Sequence, residues 1–189
     1  MTILRTAFAG AFLLASTLGT AFAQSGDFVT IQLKDGPVVI EMRPDVAPKH
    51  VERIKALAAA GEYDNVAFHR VIEGFMAQTG DVEFGDMNDG FQPQRAGTGG
   101  SSQPDLPAEF SDVPFERGTV GMARAQDPNS ANSQFFIMFA PGDFLNGQYT
   151  VVGKVVEGME NVDRIKRGDD AANGAVSDPD RMIKVTVGK

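Results

Sequence analysis

Apolar and polar side chains begin to alternate at residue 29 of this chain. Val29, Ile31 and Leu33 fall on one side and Thr30, Gln32 and Lys34 on the other, and then Lys34-Asp35-Gly36-Pro37 turns the chain. Val38, Ile40 and Met42 resume the same period against Val39, Glu41 and Arg43. Two period-two runs around an Asp-Gly predict a β-hairpin. The period then changes, because Val51, Ile54, Leu57 and Ala58 recur at helical spacing between Pro48, which suits a first turn, and Gly61, which ends the run. The spacing predicts a helix over residues 46–60, with Asp45 able to cap it and His50 facing solvent.

Strand-like patterning returns at 67–72, 75–79, 119–124, 134–139 and 150–156, and ends with Ile183, Val185 and Val187. Met159, Val162 and Ile165 mark a second, shorter helix between Glu157 and Gly168. Residues 83–118 are rich in Gly, Pro, Ser and Asp without periodicity, and are expected to form extended surface loops. Loops of that length in a compact domain usually carry function. About eight short strands with two helices point to a mainly β fold, a closed eight-stranded antiparallel barrel capped by two α-helices.

Composition narrows the picture. The first 23 of the 189 residues place Arg5 ahead of an apolar run from Ala7 to Leu18, followed by small residues at Ala21 and Ala23. This is the pattern of a cleavable secretory signal, with cleavage expected before Gln24. The run is too short, and too rich in Ala, Gly and Thr, to be preferred as a membrane span. Its removal leaves 166 residues, 24–189, one domain with room for a real core.

The chain has no cysteine, so disulfides and a thiol nucleophile are both excluded. Of the 17 basic side chains Arg5 leaves with the signal, so 16 remain against 25 acidic ones, a formal charge of −9. Such acidity argues against a nucleic-acid partner.

Most familiar chemistries then fall away. The two histidines, His50 and His69, have no partner at metal-ligand spacing. The acidic run GDVEFGDMNDG lacks the alternating ligands and closing glutamate of a calcium loop and reads as a solvated turn. No G-x-S-x-G elbow is present, and GTGGSS at 97–102 has no Lys-Ser/Thr to complete a phosphate cradle. What remains is FHRVIEGFMAQTGD at 68–81, with an arginine among apolar side chains. On a strand, Phe68 and Arg70 share one face and His69 and Val71 the other, so His69 and Arg70 are not expected to meet one ligand. His69 is expected to be an inward, hydrogen-bonded structural residue. Arg70 alone reads as a solvated strand arginine.

The neighbouring blocks change that reading. FHRVIEGFMAQTGD, SQFFI at 133–137 and FLNGQYTVVGKVVEG at 144–158, in that order, resemble the cyclophilin family of peptidyl-prolyl cis-trans isomerases. The resemblance runs over 27–189 and takes in PAEF at 107–110 and GTGG at 97–100. It implies the barrel with two helices, a groove on its outer surface, and rotation about X-Pro bonds without a cofactor or metal. By the same resemblance, catalysis falls on Arg70 with Gln134, the proline pocket on Phe75, Met76, Phe136 and Leu145, and a further groove glutamine on Gln78. Substrate backbone would pair along Met122, Ala123, Arg124 and Ala125. Phe144 and Tyr149 stand at the pocket edge where the commonest eukaryotic pattern has tryptophan and histidine, and Arg124 stands where it has asparagine. The first two departures argue against tight cyclosporin binding.

With the signal, the resemblance is to a small exported bacterial member, expected in the periplasm as a monomer. Its partners would be proline-containing unfolded or partly folded polypeptides, with no nucleic acid and no membrane once the signal is gone. The alternative is a non-catalytic module or holdase that grips proline segments in the same groove.

Overall fold

A computed structural model describes residues 27–88 and 90–189 of the chain. The predicted signal segment and its cleavage point lie outside the described residues. The hairpin forms as β1 (Phe28–Leu33) and β2 (Gly36–Met42), with Val29 opposite Ile40 and Ile31 opposite Val38. Val38, Ile40 and Met42 are all buried in the main core, as their alternation requires.

Helix α1 (Pro48–Ala60) starts on its proline and ends at Gly61, whose φ of 77° lets its amide turn back to Ala58 O at 3.1 Å. Asp45 does not cap it; both its carboxylate oxygens are held by Arg43. The first free amides of the helix donate instead to Glu109 of the long loop, Lys49 N at 3.1 Å and His50 N at 3.2 Å. His50 is fully buried rather than solvent-facing, because its Nδ1 lies 2.7 Å from the same carboxylate. Burial by itself would raise the Glu109 carboxyl; the His50 ring and the two amides outweigh it, and the pKa lies below the ordinary carboxylate value.

The remaining strands are β3 (Arg70–Ile72), β4 (Met76–Thr79), β5 (Thr119–Met122), β6 (Phe135–Met138), β7 (Val151–Glu157) and β8 (Lys184–Val187), with the short α2 (Met159–Val162) between the last two. All pairings are antiparallel, in the order β3-β4-β6-β5-β7-β2-β1-β8. The expected closed barrel is corrected here: the sheet is a curled, open half-barrel with β3 and β8 at its edges. The ladder stops because the chain leading into each edge strand is irregular. Asn65 and Asp178 are left-handed, and Pro179 has no amide to donate. Across this seam run the isolated Ala67–Arg181 bridge and bonds such as Phe68 N to Asp180 O at 2.8 Å.

The concave side holds one apolar core, closed by α1 packing on β8 and α2 on β2. A second, separate apolar cluster lies outside the sheet, built from Met76, Phe115, Phe136, Met138, Leu145 and Val151. The long loop is not merely surface, since it contributes fully buried Phe115 to that outer cluster and buries Phe84 beneath the Arg95 guanidinium.

Candidate active site

The outer cluster is the floor of the site. Met76 on β4 stands opposite Met138 on β6 and diagonal to Phe136, and Met76 and Phe136 are almost fully buried. Phe115 stacks behind Phe136 with ring centroids 5.7 Å apart. Gly121 on β5 makes this possible, because a Cβ there would stand 2.5 Å from Phe115 Cε1 and 2.7 Å from Phe136 Cζ. Leu145 closes one side from the 3-10 turn Asp143–Leu145. Above this floor opens a cavity of about 300 Å³, rimmed by Phe75, Phe144 and Tyr149. Phe75 and Phe144 lie 5.5 Å apart, and Tyr149 meets Phe136 edge-on at 6.0 Å. Phe144 is 65% exposed, an unusual position for a phenyl ring and one that suits a wall waiting for a ligand.

Arg70 enters this apolar rim half-buried. Its Nε donates to Asn173 O at 3.0 Å, Nη2 to Asn173 Oδ1 at 3.0 Å and Nη1 to Gln78 Oε1 at 3.3 Å. Burial pulls its pKa below the ordinary guanidinium value, with Tyr149 opposing the shift. A guanidinium remains charged regardless, so the consequence is a cation with part of its hydration removed. Gln78 in turn donates to Gln134 Oε1 at 3.0 Å, and Gln134 to Gly99 O at 2.8 Å.

A second cavity of about 370 Å³ continues from the first, sharing Gln78, Ala123 and Arg124 and adding Ala125 and Gln134 with the loop Gly97–Gly99. Arg124 lies over the Tyr149 ring at 4.4 Å and donates to Ala125 O and Gln148 O. The residues expected to form the groove therefore come together, with one correction. The side chain of Met122 points into the inner core, and its amide is already donated to Thr150 O at 2.9 Å. The amides of Ala123 and Ala125 are likewise committed, to Gln134 O and Ser130 Oγ.

Two expectations about the opening of β3 also change. Phe68 and Val71, not Phe68 and Arg70, share the inner core, because regular strand begins only at Arg70 and the period of two does not extend back to Phe68. In consequence His69 and Arg70 both border a third cavity of about 220 Å³. His69 is buried as expected, but neither ring nitrogen meets a partner at hydrogen-bond geometry among the described residues. Burial lowers its pKa, with the Asp81 charge opposing, and holds the ring neutral.

Sequence reasoning missed Asn173, Phe115, Gly121 and Asp81. Gly121 carried a signal, since glycine inside a strand marks a close approach. Asn173 carried none, lying 103 residues from its partner. Asp81, read as part of a solvated turn, is fully buried.

Residues 28–187 match the family model described as cyclophilin type peptidyl-prolyl cis-trans isomerase/CLD. A probable peptidyl-prolyl cis-trans isomerase of Brucella suis is 61% identical over 99% of this chain and 97% of its own length. A peptidyl-prolyl cis-trans isomerase of Arabidopsis thaliana is 34% identical, covering 83% of this chain and 68% of that protein. Among solved structures, a cyclophilin-type isomerase of Cryptosporidium parvum, crystallised in the presence of the dipeptide Ala-Pro, superposes with a TM-score of 0.69 at 27% identity, over 86% of this chain and 99% of that one. A cyclophilin from Hirschia baltica gives a TM-score of 0.71 at 25% identity, over 85% and 73%. The chain belongs to the cyclophilin-type peptidyl-prolyl cis-trans isomerase family, and it is an enzyme of that class.

Proposed function

We propose that this isomerase accelerates rotation about X-Pro bonds in exported polypeptides and so assists their folding in the periplasm. Support for the compartment is the pattern of residues 1–23, a charge, a short apolar run and small residues before Gln24. Support for the ligand is the likeness to the Cryptosporidium parvum enzyme crystallised in the presence of Ala-Pro.

The amide resists rotation by about 18–20 kcal/mol because its nitrogen lone pair is delocalised into the carbonyl. Uncatalysed X-Pro exchange takes roughly tens to hundreds of seconds. Shortening that to milliseconds is about 10⁴-fold, which asks for only about 5–6 kcal/mol of preferential binding to the twisted state. No bond breaks, so neither nucleophile nor base is needed. Phe136, Met76, Leu145 and Phe75 grip the pyrrolidine ring and hold one side of the rotating bond. Gln134 and the backbone around Arg124 hold the flanking peptide. As the prolyl nitrogen pyramidalises its lone pair becomes an acceptor, and Arg70 donates to it; neither planar isomer offers that interaction.

One arrangement carries the reading: a half-buried guanidinium tethered by Asn173 and Gln78 at the rim of an apolar cavity. The test is refolding of a protein limited by proline isomerisation, with the mature chain isolated from a periplasmic fraction. A faster slow phase, and an N-terminus at Gln24, are expected. An unchanged slow phase, or a cytoplasmic protein still bearing Met1, would contradict the corresponding half of the proposal.

A further inference from the structure

The carboxylate of Asp81 has no solvent exposure and gathers four backbone amides. Oδ1 accepts from Glu83 N at 3.1 Å and Phe84 N at 2.9 Å, and Oδ2 from Gly97 N at 2.7 Å and Gly99 N at 3.0 Å. It thereby folds the loop 97–99 onto the start of the acidic turn. Only glycine allows so close an approach, since a Cβ on residue 99 would stand 2.5 Å from Asp81 Oδ1 and 2.8 Å from Phe84 Cδ2.

From Gly99 a series of bonds leads to the guanidinium, with every donor facing the same way: Arg70 Nη1 to Gln78 Oε1, Gln78 Nε2 to Gln134 Oε1, Gln134 Nε2 to Gly99 O. The direction is forced from both ends. A backbone carbonyl can only accept and a guanidinium can only donate, whereas each glutamine amide between them could sit either way round. The Gly99 carbonyl must meet Gln134 NH₂, which leaves Gln134 oxygen for Gln78 NH₂ and Gln78 oxygen for Arg70. Were Gly99 displaced, Gln134 would lose the partner that orients it, and Gln78 could turn its NH₂ toward Arg70. The step through Gly99 is mechanical rather than electronic, because its N–H and C=O belong to successive peptide planes.

We infer that Asp81 is a positioning residue for Arg70, acting through the Gly97–Gly99 loop, Gln134 and Gln78. The inference rests on the catalytic role proposed above for Arg70. Asp81 touches no substrate; it sets which atom of Gln78 the guanidinium finds.

The experiment is a double-mutant cycle on an Ala-Pro peptide, with Asp81→Asn, Gln78→Leu and the pair. Asp81→Asn turns an NH₂ against two amide donors whichever way it sits. It should lower kcat about tenfold with KM within about twofold, and in the Gln78→Leu background its effect should shrink below about twofold. Equal fold-losses in both backgrounds would overturn the inference and leave Asp81 a purely structural residue. If Asp81→Asn does not fold, Gly99→Ala takes its place in the cycle with the same expected and contrary results, since it keeps the carboxylate and displaces the loop. The Arg70 side-chain ¹⁵Nε resonance gives a readout independent of turnover. It should move in Asp81→Asn and in Gln134→Leu, and an unmoved resonance in both would overturn the link. Near wild-type turnover in Arg70→Ala would instead remove the catalytic reading, a distinct result because the Arg70 resonance in Asp81→Asn and Gln134→Leu still reports the coupling.

Discussion

Replacing Asn173 by glycine isolates one tether of the Arg70 guanidinium. The backbone at 173 has φ 54°, which glycine adopts freely, so Asn173→Gly keeps the carbonyl that accepts from Arg70 Nε and removes only the Oδ1 that accepts from Nη2. A hydrogen bond to a charged group contributes about 1.5–3 kcal/mol when shielded. Asn173 is exposed, and water can take the place of Oδ1, so the loss of positioning should be smaller, about 1 kcal/mol. That corresponds to about a fivefold fall in kcat/KM. Stability should change little, within about 0.5 kcal/mol, as for other surface substitutions. The assay is protease-coupled isomerisation of an Ala-Pro peptide beside thermal denaturation. Asn173→Ala is the control, because it loses the same oxygen but strains the left-handed backbone by roughly 1–2 kcal/mol. It should melt earlier than the glycine variant yet turn over at a similar rate. Wild-type turnover in Asn173→Gly with slow turnover in Asn173→Ala would refute the tether and point to backbone strain instead.

Two further outcomes are expected. Gly121→Ala should force Phe115 and Phe136 apart, lowering stability by about 1–3 kcal/mol through overpacking and weakening Ala-Pro binding; unchanged melting and unchanged titration would contradict the packing account. His69 has a native pKa lowered by burial, so the unfolded chain takes up a proton first as pH falls. Its contribution to stability is full above about pH 6.5 and declines below it, by at most about 1.4 kcal/mol per pH unit, until the native pKa is reached. Wild type should therefore lose stability below pH 6.5 faster than His69→Gln in urea titrations; parallel curves would show that the ring is not held neutral.

The sequence made the strands and α1 legible because their side chains are sorted by one face of a sheet or helix, and a period survives without tertiary knowledge. It also made most of the groove legible, since Phe75, Met76, Phe136, Leu145 and Tyr149 fall in contiguous blocks. What it could not convey was pairing across distance. The cap of α1 is Glu109, 60 residues from Lys49, and no local rule selects it over Asp45. His50 is buried by that same distant carboxylate. The orientation of Phe68 has a local cause: residues 68 and 69 lead into β3 without being part of it, so alternation does not govern them. The closed barrel failed for a similar reason, because Asn65, Asp178 and Pro179 interrupt the two edges where the ladder would have joined.

In the proposed mechanism the Arg70 guanidinium favours the twisted amide while the apolar cavity merely holds the ring. Exchange NMR on an Ala-Pro peptide measures both at once, giving the catalysed cis-trans rate and, from shifts of the Phe136 and Leu145 resonances, occupancy of the cavity. In Arg70→Ala the rate should fall at least about 100-fold below wild type with occupancy changed less than about threefold. A rate close to wild type at equal occupancy would contradict it.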